Sequence, residues 1–183
     1  MKTPAVFVAL VLGAIIGGMA VEYWMTRNVP TPAAQSAPAG AANADVTFLK
    51  SVVPTQSHSM IDVGYHWTNL WFAVDKKNWT LARYLIGEAR QSMRWTIVLR
   101  PVRQLPDGKT VDVKGIFTAV DMSAFAAVQI AVEDEDHEAF VNSYKSALEA
   151  CYSCHVSAGL PYLRPIVPTA PASTLIGFEP IAK

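Results

Sequence analysis

Two cysteines three residues apart, with a histidine directly after the second, constrain this chain more than any other stretch: Cys151-Tyr152-Ser153-Cys154-His155. On a helix the three side chains stand at i, i+3 and i+4 and share one face. Whatever they hold must be enclosed by the rest of the fold across that face. They are also the only cysteines in 183 residues. With four His in the chain, a chance His directly after the second Cys has a probability of roughly 2%. The pattern is that of covalent haem attachment, in which two thiols form thioethers with the two vinyl groups of one haem. The histidine then supplies a proximal nitrogen to the iron. A redox dithiol fits less well, because such a pair opens a helix after a strand and this one closes a helical stretch. A structural zinc site needs four ligands, and no second Cys/His pair is present.

The residues before this motif carry a helical rhythm. Met60, Val63, Trp67, Leu70 and Val74 alternate steps of three and four, the seam of a bundle helix that Pro54 keeps from extending backward. Lys76-Lys77-Asn78 forms a corner with Asn78 as N-cap, and a second helix runs from Trp79 to about Arg100, with Ala82, Leu85, Ala89, Met93 and Ile97 inward. Pro101, Pro106 and Asp107-Gly108 mark a longer turn. A third helix is predicted from about Val111 to Val132 through Val113, Ile116, Val120, Ala124, Ala127 and Ala131. The acidic run Glu133-Asp134-Glu135-Asp136 favours the positive end of a fourth helix. That helix carries Phe140, Tyr144, Ala147, Leu148, Cys151, Cys154 and His155 on one face and ends near Ala158-Gly159. Asp45 to Val53 is open between a short helix and an irregular arm.

Short connections make neighbouring helices antiparallel. The expected fold is all-α: an up-down-up-down four-helix bundle with covalent haem at one end, plus an N-terminal transmembrane helix. This topology brings Met60, Trp95, Leu99, Ile116 and Phe117 to the end where Cys151 and Cys154 attach the haem. Arg94, Arg100, Arg103, Lys109, Lys114 and Arg164 gather there against Asp107 and Asp112, so the chain is expected to be strongly polarised despite zero formal net charge. For the sixth iron position Met60 leads, because it opens an inward seam at the His155 end. His66 lies deeper and off the seam, His58 lies at or before the helix start, and an open site is the remaining option. Arg164 is placed to reach a haem propionate or to remain a solvated surface charge.

A four-helix bundle with Cys-x-x-Cys-His near the end of its last helix resembles the cytochrome c′ type. Leu70-Trp71-Phe72-Ala73, Asn78-Trp79, Leu81-Ala82 and Pro161-Tyr162-Leu163-Arg164-Pro165 are similar to bacterial haem proteins known as cytochrome c domain proteins. The resemblance covers about Met60 to Pro168. It implies thioether sites at Cys151 and Cys154 and a proximal ligand at His155. It leaves the sixth position undecided, since members of the cytochrome c′ type often keep it open.

Residues 1–27 are expected to form a membrane anchor. Ala5 to Val21 carries no charge, and Tyr23 and Trp24 follow where an aromatic belt meets the outer headgroups. A cleaved signal peptide ending at Gly18-Met19-Ala20 is the competing reading. Residues 28–45, rich in Ala and Pro, read as an extended tether. The haem domain is expected over residues 46–159 and an extended tail over residues 160–183. With no basic excess, nucleic acid is not an expected partner. The sequence predicts a single-electron carrier tethered to the inner membrane, its haem domain on the periplasmic side, serving a membrane-associated redox partner. A five-coordinate gas-binding haem protein and an accessory haem subunit are the alternatives. No Ser/His/Asp spacing or carboxylate cluster points to an enzyme.

Overall fold

The computed structural model describes residues 39–181. The protein is mostly helical: the described residues form five helices and one short antiparallel ribbon. The chain divides into two units, Met1–Val52 and Val53–Lys183. In the first, helix α1 spans Ala39–Val52. Of the two forms open to Asp45 to Val53, the helical one is observed through Val52. The expected tether therefore loses residues 39–45 to a helix. Ala39, Ala41, Ala42 and Ala44 have the highest helix propensity, and no proline interrupts between Pro38 and Pro54. The anchor expected at residues 1–27 and the tether residues 28–38 lie outside the described residues.

The second unit contains α2 (Gln56–Asp75), α3 (Trp79–Leu99), β1 (Val102–Gln104), β2 (Thr110–Asp112), α4 (Val113–Glu133) and α5 (His137–Ser157). Side-chain caps start each helix. Thr55 accepts from the His58 amide, Asn78 from Leu81, Asp112 from Gly115 and Asp136 from Ala139. Each such cap is worth about 1 kcal/mol. The chain reverses between α2 and α3, and again between α4 and α5, through single left-handed residues: Lys77 at φ 55° and Glu135 at φ 56°.

Where a longer turn was expected between the second and third helices, the chain builds a ribbon. Val102 pairs with Asp112, Arg103 with Val111 and Gln104 with Thr110. Its loop turns at Gly108, whose φ of +83° favours glycine. Gly159, at φ +76°, ends α5 in the same manner, and a Cβ there would stand 3.1 Å from Leu105 of the ribbon loop.

One core unites α2, α3, α4 and α5. Leu70, Ala73, Val74, Ala82, Leu85, Ile86, Phe125, Val128, Val132, Phe140, Tyr144 and Ala147 are buried in it. Each large aliphatic or aromatic side chain there stabilises the fold by about 1.5–3 kcal/mol. The third-helix seam departs from expectation. Asp121–Phe125 is one turn of π-helix inside α4, and its extra residue rotates the core face by one position. Beyond the turn Phe125 and Val128 are buried where Ala124 and Ala127 were expected, and Ala131 is buried as expected; ahead of it Phe117 is buried rather than Ile116, a difference the turn does not cause. The larger side chains at Phe117, Phe125 and Val128 bury more apolar area than the register they replace. By length and composition α4 also qualifies as a membrane span, with a mean hydropathy of 1.6. Its core-facing side chains nevertheless pack against α5 and α3.

The tail beyond α5 lies on the core as a strap. Val167 and Phe178 pack against the buried cluster. The buried Asn69 accepts from the Ala172 amide at 3.0 Å. Asn78 and Lys76 hold Glu179 at 3.2 and 3.1 Å through its carbonyl and carboxylate respectively.

Candidate cofactor site

A cavity of about 560 Å³ opens at one end of the second unit, within the ~300–1,000 Å³ range of small-molecule and cofactor sites. The beginnings of α2 and α4 and the ends of α3 and α5 meet around it. Met60, Val63 and Trp67 line it from α2, Met93 and Thr96 from α3, and Val113, Phe117, Val120 and Phe125 from α4. Cys151, Cys154 and His155 line it from α5, and Leu160, Tyr162, Leu163, Arg164 and Pro165 from the strap. The floor is aromatic. Trp67 stacks on Phe125 at 4.6 Å and on Tyr144 at 5.2 Å. Such pairs add about 0.5–1.5 kcal/mol each. The Tyr144 hydroxyl donates to the Trp67 carbonyl at 3.0 Å. Burial pushes its pKa upward, so it remains a donor.

His155 is oriented by the strap. Its Nδ1 lies 2.5 Å from the Leu163 carbonyl oxygen. A carbonyl can only accept, so Nδ1 carries the hydrogen and neutral imidazole keeps its lone pair on Nε2, the nitrogen free to bind a metal. Tyr152, between the two cysteines, donates to the Pro161 carbonyl at 3.2 Å and ties the same segment down.

Both thiols are half-buried and free. Burial, with a smaller effect of Cys154, pushes the Cys151 thiol up to about 12, and burial raises Cys154 as well. A redox dithiol needs the opposite shift. Among the described residues no group of three or more His, Cys, Asp or Glu side chains converges as a metal cage. The donor set suits a large apolar planar group carrying its own metal: two thiols and an imidazole on one wall, a thioether on another, and apolar side chains between. By size and chemistry the residues present fit a haem.

The candidate residues separate on their surroundings. Met60, half-buried, lines the cavity; His58 is exposed and His66 is half-buried, and neither lines it. His66 sits against Tyr65 and Tyr84 at ring distances of 5.2 and 6.4 Å. Burial lowers its pKa against the opposing pull of Glu88 and Asp62. Arg164 lines the rim, but it is exposed, contacts Glu149 at 3.4 Å and stands 4.8 Å over the Tyr152 ring. Phe117 lines the cavity as expected. Trp95, Leu99 and Ile116 do not line it. Comparison with protein-family models, curated proteins and solved structures found no match.

Sequence reasoning placed Arg103 at this end among six basic residues without singling it out, and it missed the strap carbonyl at Leu163. It placed Met93 inward without assigning it to the cavity. The ribbon that delivers Arg103 had a readable signal: β-branched residues on both sides of Pro106-Asp107-Gly108. The strap had a partial one in the apolar patches Tyr162-Leu163 and Leu175-Ile176-Gly177-Phe178, which fit a tail laid over the helices or over a partner; its hydrogen bond to Asn69, 103 positions away, had none.

Proposed function

We propose that this chain is a membrane-tethered, single-haem c-type cytochrome on the periplasmic side of the inner membrane, passing one electron at a time to or from a redox partner. In this reading α2 to α5 are an antiparallel four-helix bundle similar to the cytochrome c′ type, with haem covalently held at one end. The observation that carries it is the meeting of Cys151, Cys154 and His155 with Met60 around one apolar cavity. When bound, the haem supplies a reversible one-electron iron couple.

The chain's residues do the rest. Cys151 and Cys154 would hold the haem covalently, each thiol as a thioether whose S–H has added across one vinyl group, an addition that needs no oxidant. Leu163 holds His155 with Nε2 as the ligand nitrogen and raises its basicity by accepting from Nδ1–H. Met60 offers its thioether from α2, and the apolar lining keeps water away from the iron. A carrier of this kind transforms no substrate. The five-coordinate, gas-binding alternative draws support from Gly64, which lines the same wall with no atom within 4 Å of where a Cβ would stand. That leaves room beside Met60 for a small ligand.

The test is direct. In a chain carrying both Cys151→Ala and Cys154→Ala, haem staining on a denaturing gel is expected to vanish. Staining that survives the double change would sink the cofactor assignment. A wild-type spectrum that shifts on adding carbon monoxide would move the gas-binding reading ahead.

A further inference from the structure

Six arginines lie among the described residues, and four are answered by carboxylates. Arg83 pairs with Glu133 and Glu135, Arg90 and Arg94 with Asp121, and Arg164 with Glu149. Arg100 spends a guanidinium nitrogen on the Val53 carbonyl and does not line the cavity. Arg103 alone both lines the cavity and pairs with no carboxylate of the described residues.

Its surroundings look built to hold it there. The ribbon delivers Arg103 from β1 into half-buried surroundings. Its Nε donates to the Ala158 carbonyl at 2.8 Å, at the end of α5. Its Nη1 donates to Gln56 Oε1 at 3.2 Å. The amide of Gln56 is committed at both ends, since its Nε2 donates to the Arg100 carbonyl at 2.9 Å. The guanidinium is thus fixed by the start of α2 and the end of α5, the elements that also carry Met60 and the cysteines. Neutral oxygens satisfy two of its donors and leave its charge uncompensated. Retaining a partly desolvated charge at the edge of an apolar cavity is costly unless an anion completes it.

We infer that Arg103 binds a carboxylate of the molecule that fills the cavity. Resting on the cofactor reading above, that carboxylate is a haem propionate, and Arg103 rather than Arg164 is its anchor. Arg103 presents a fork whose remaining N–H groups suit a carboxylate. The exposed Arg164 already has Glu149 and the Tyr152 ring.

The experiment uses the full chain with attached haem verified by mass, and follows the midpoint potential across pH. A propionate whose pKa differs between the oxidised and reduced forms produces a break in that profile. An adjacent arginine lowers a carboxylate pKa by about 1–3 units, so R103Q is expected to move the break upward by about that amount, and R103K by less. R164Q is expected to leave it unmoved. Should R103Q fail to accumulate, Q56L, which removes the acceptor orienting Arg103, is expected to move the break in the same direction. Unmoved breaks in R103Q or, in its place, Q56L overturn the inference while the haem stays attached. A shift seen in R164Q alone gives the anchor to Arg164 instead. A wild-type chain with no attached haem overturns the cofactor reading, and this assignment with it.

Discussion

Met60 and Asp121 show how single side chains divide the work between site and scaffold. Met60 lines the cavity while His58 and His66 do not, so Met60→Ala is expected to convert a low-spin haem into a high-spin form that binds carbon monoxide. Met93, the second thioether in the wall, is the control: an unchanged spectrum in Met60→Ala together with a changed one in Met93→Leu would transfer the ligand role. Asp121 serves the scaffold. Burial works to raise its pKa, but Arg90 through hydrogen bond and charge, with Arg94, outweighs burial and holds it below the usual carboxylate range. It sits 2.6 Å from Arg90 and 3.3 Å from Arg94, and Arg90 also donates to Gln129. A depressed carboxylate adds stability above its ordinary value of 3.8 and loses it as pH falls through the lower folded value. Asp121→Asn is therefore expected to cost about 1–3 kcal/mol near pH 7, with the gap to wild type narrowing below about pH 4. Urea unfolding at both pH values checks this; an equal gap at each would refute it.

At the scale of elements, the π-turn and the strap decide what the site contains. The turn at Asp121–Phe125 brings Phe125 rather than Ala124 to the cavity floor. π-turns of this kind are often found at functional sites. Periodicity could not reveal it, because an inserted residue resets the phase without leaving a compositional mark. The strap is pinned by Asn69, fully buried, whose one hydrogen bond goes to the Ala172 amide. Asn69→Ala is expected to release it. Amide exchange at Ala172 and its neighbours should rise about five- to tenfold, the equivalent of one lost hydrogen bond. Exchange as slow as wild type would mean that Val167 and Phe178 hold the strap without it.

For the whole molecule, charge is less polarised than the residue positions suggest. Near the cavity end Arg94 is answered by Asp121, Lys109 by Asp107 at 3.0 Å and Arg164 by Glu149. At the other end Arg83 reaches Glu133 and Glu135 at 3.0 and 2.9 Å. Exposed pairs of this kind contribute ~0–1 kcal/mol to stability, but they trim the field that an approaching partner meets. Placement in the cell depends on the segment ahead of α1. The full chain is expected to stay with membranes after a high-salt wash, and a chain starting at Asp45 to be soluble. A mature amino terminus at Val21 would indicate cleavage and remove the anchor.

Local rules carried the helices and the Cys-x-x-Cys-His face. The seams of α2 and α3, the corners at Lys76-Lys77-Asn78 and Asp134-Glu135-Asp136, and the shared face of Cys151, Cys154 and His155 all follow from spacing and capping within a few residues. Tertiary structure decided the rest. The register of α4 beyond Asp121 turned on an extra residue that sets Phe125 against Trp67. The tautomer of His155 depends on a carbonyl that a strap must first bring close. Which of two half-buried side chains borders the cavity, Met60 and not His66, is likewise set by packing. Arg103 was one basic residue among several until the ribbon set it between α2 and α5. These are contacts between segments far apart in the chain, and only packing of the whole unit specifies them.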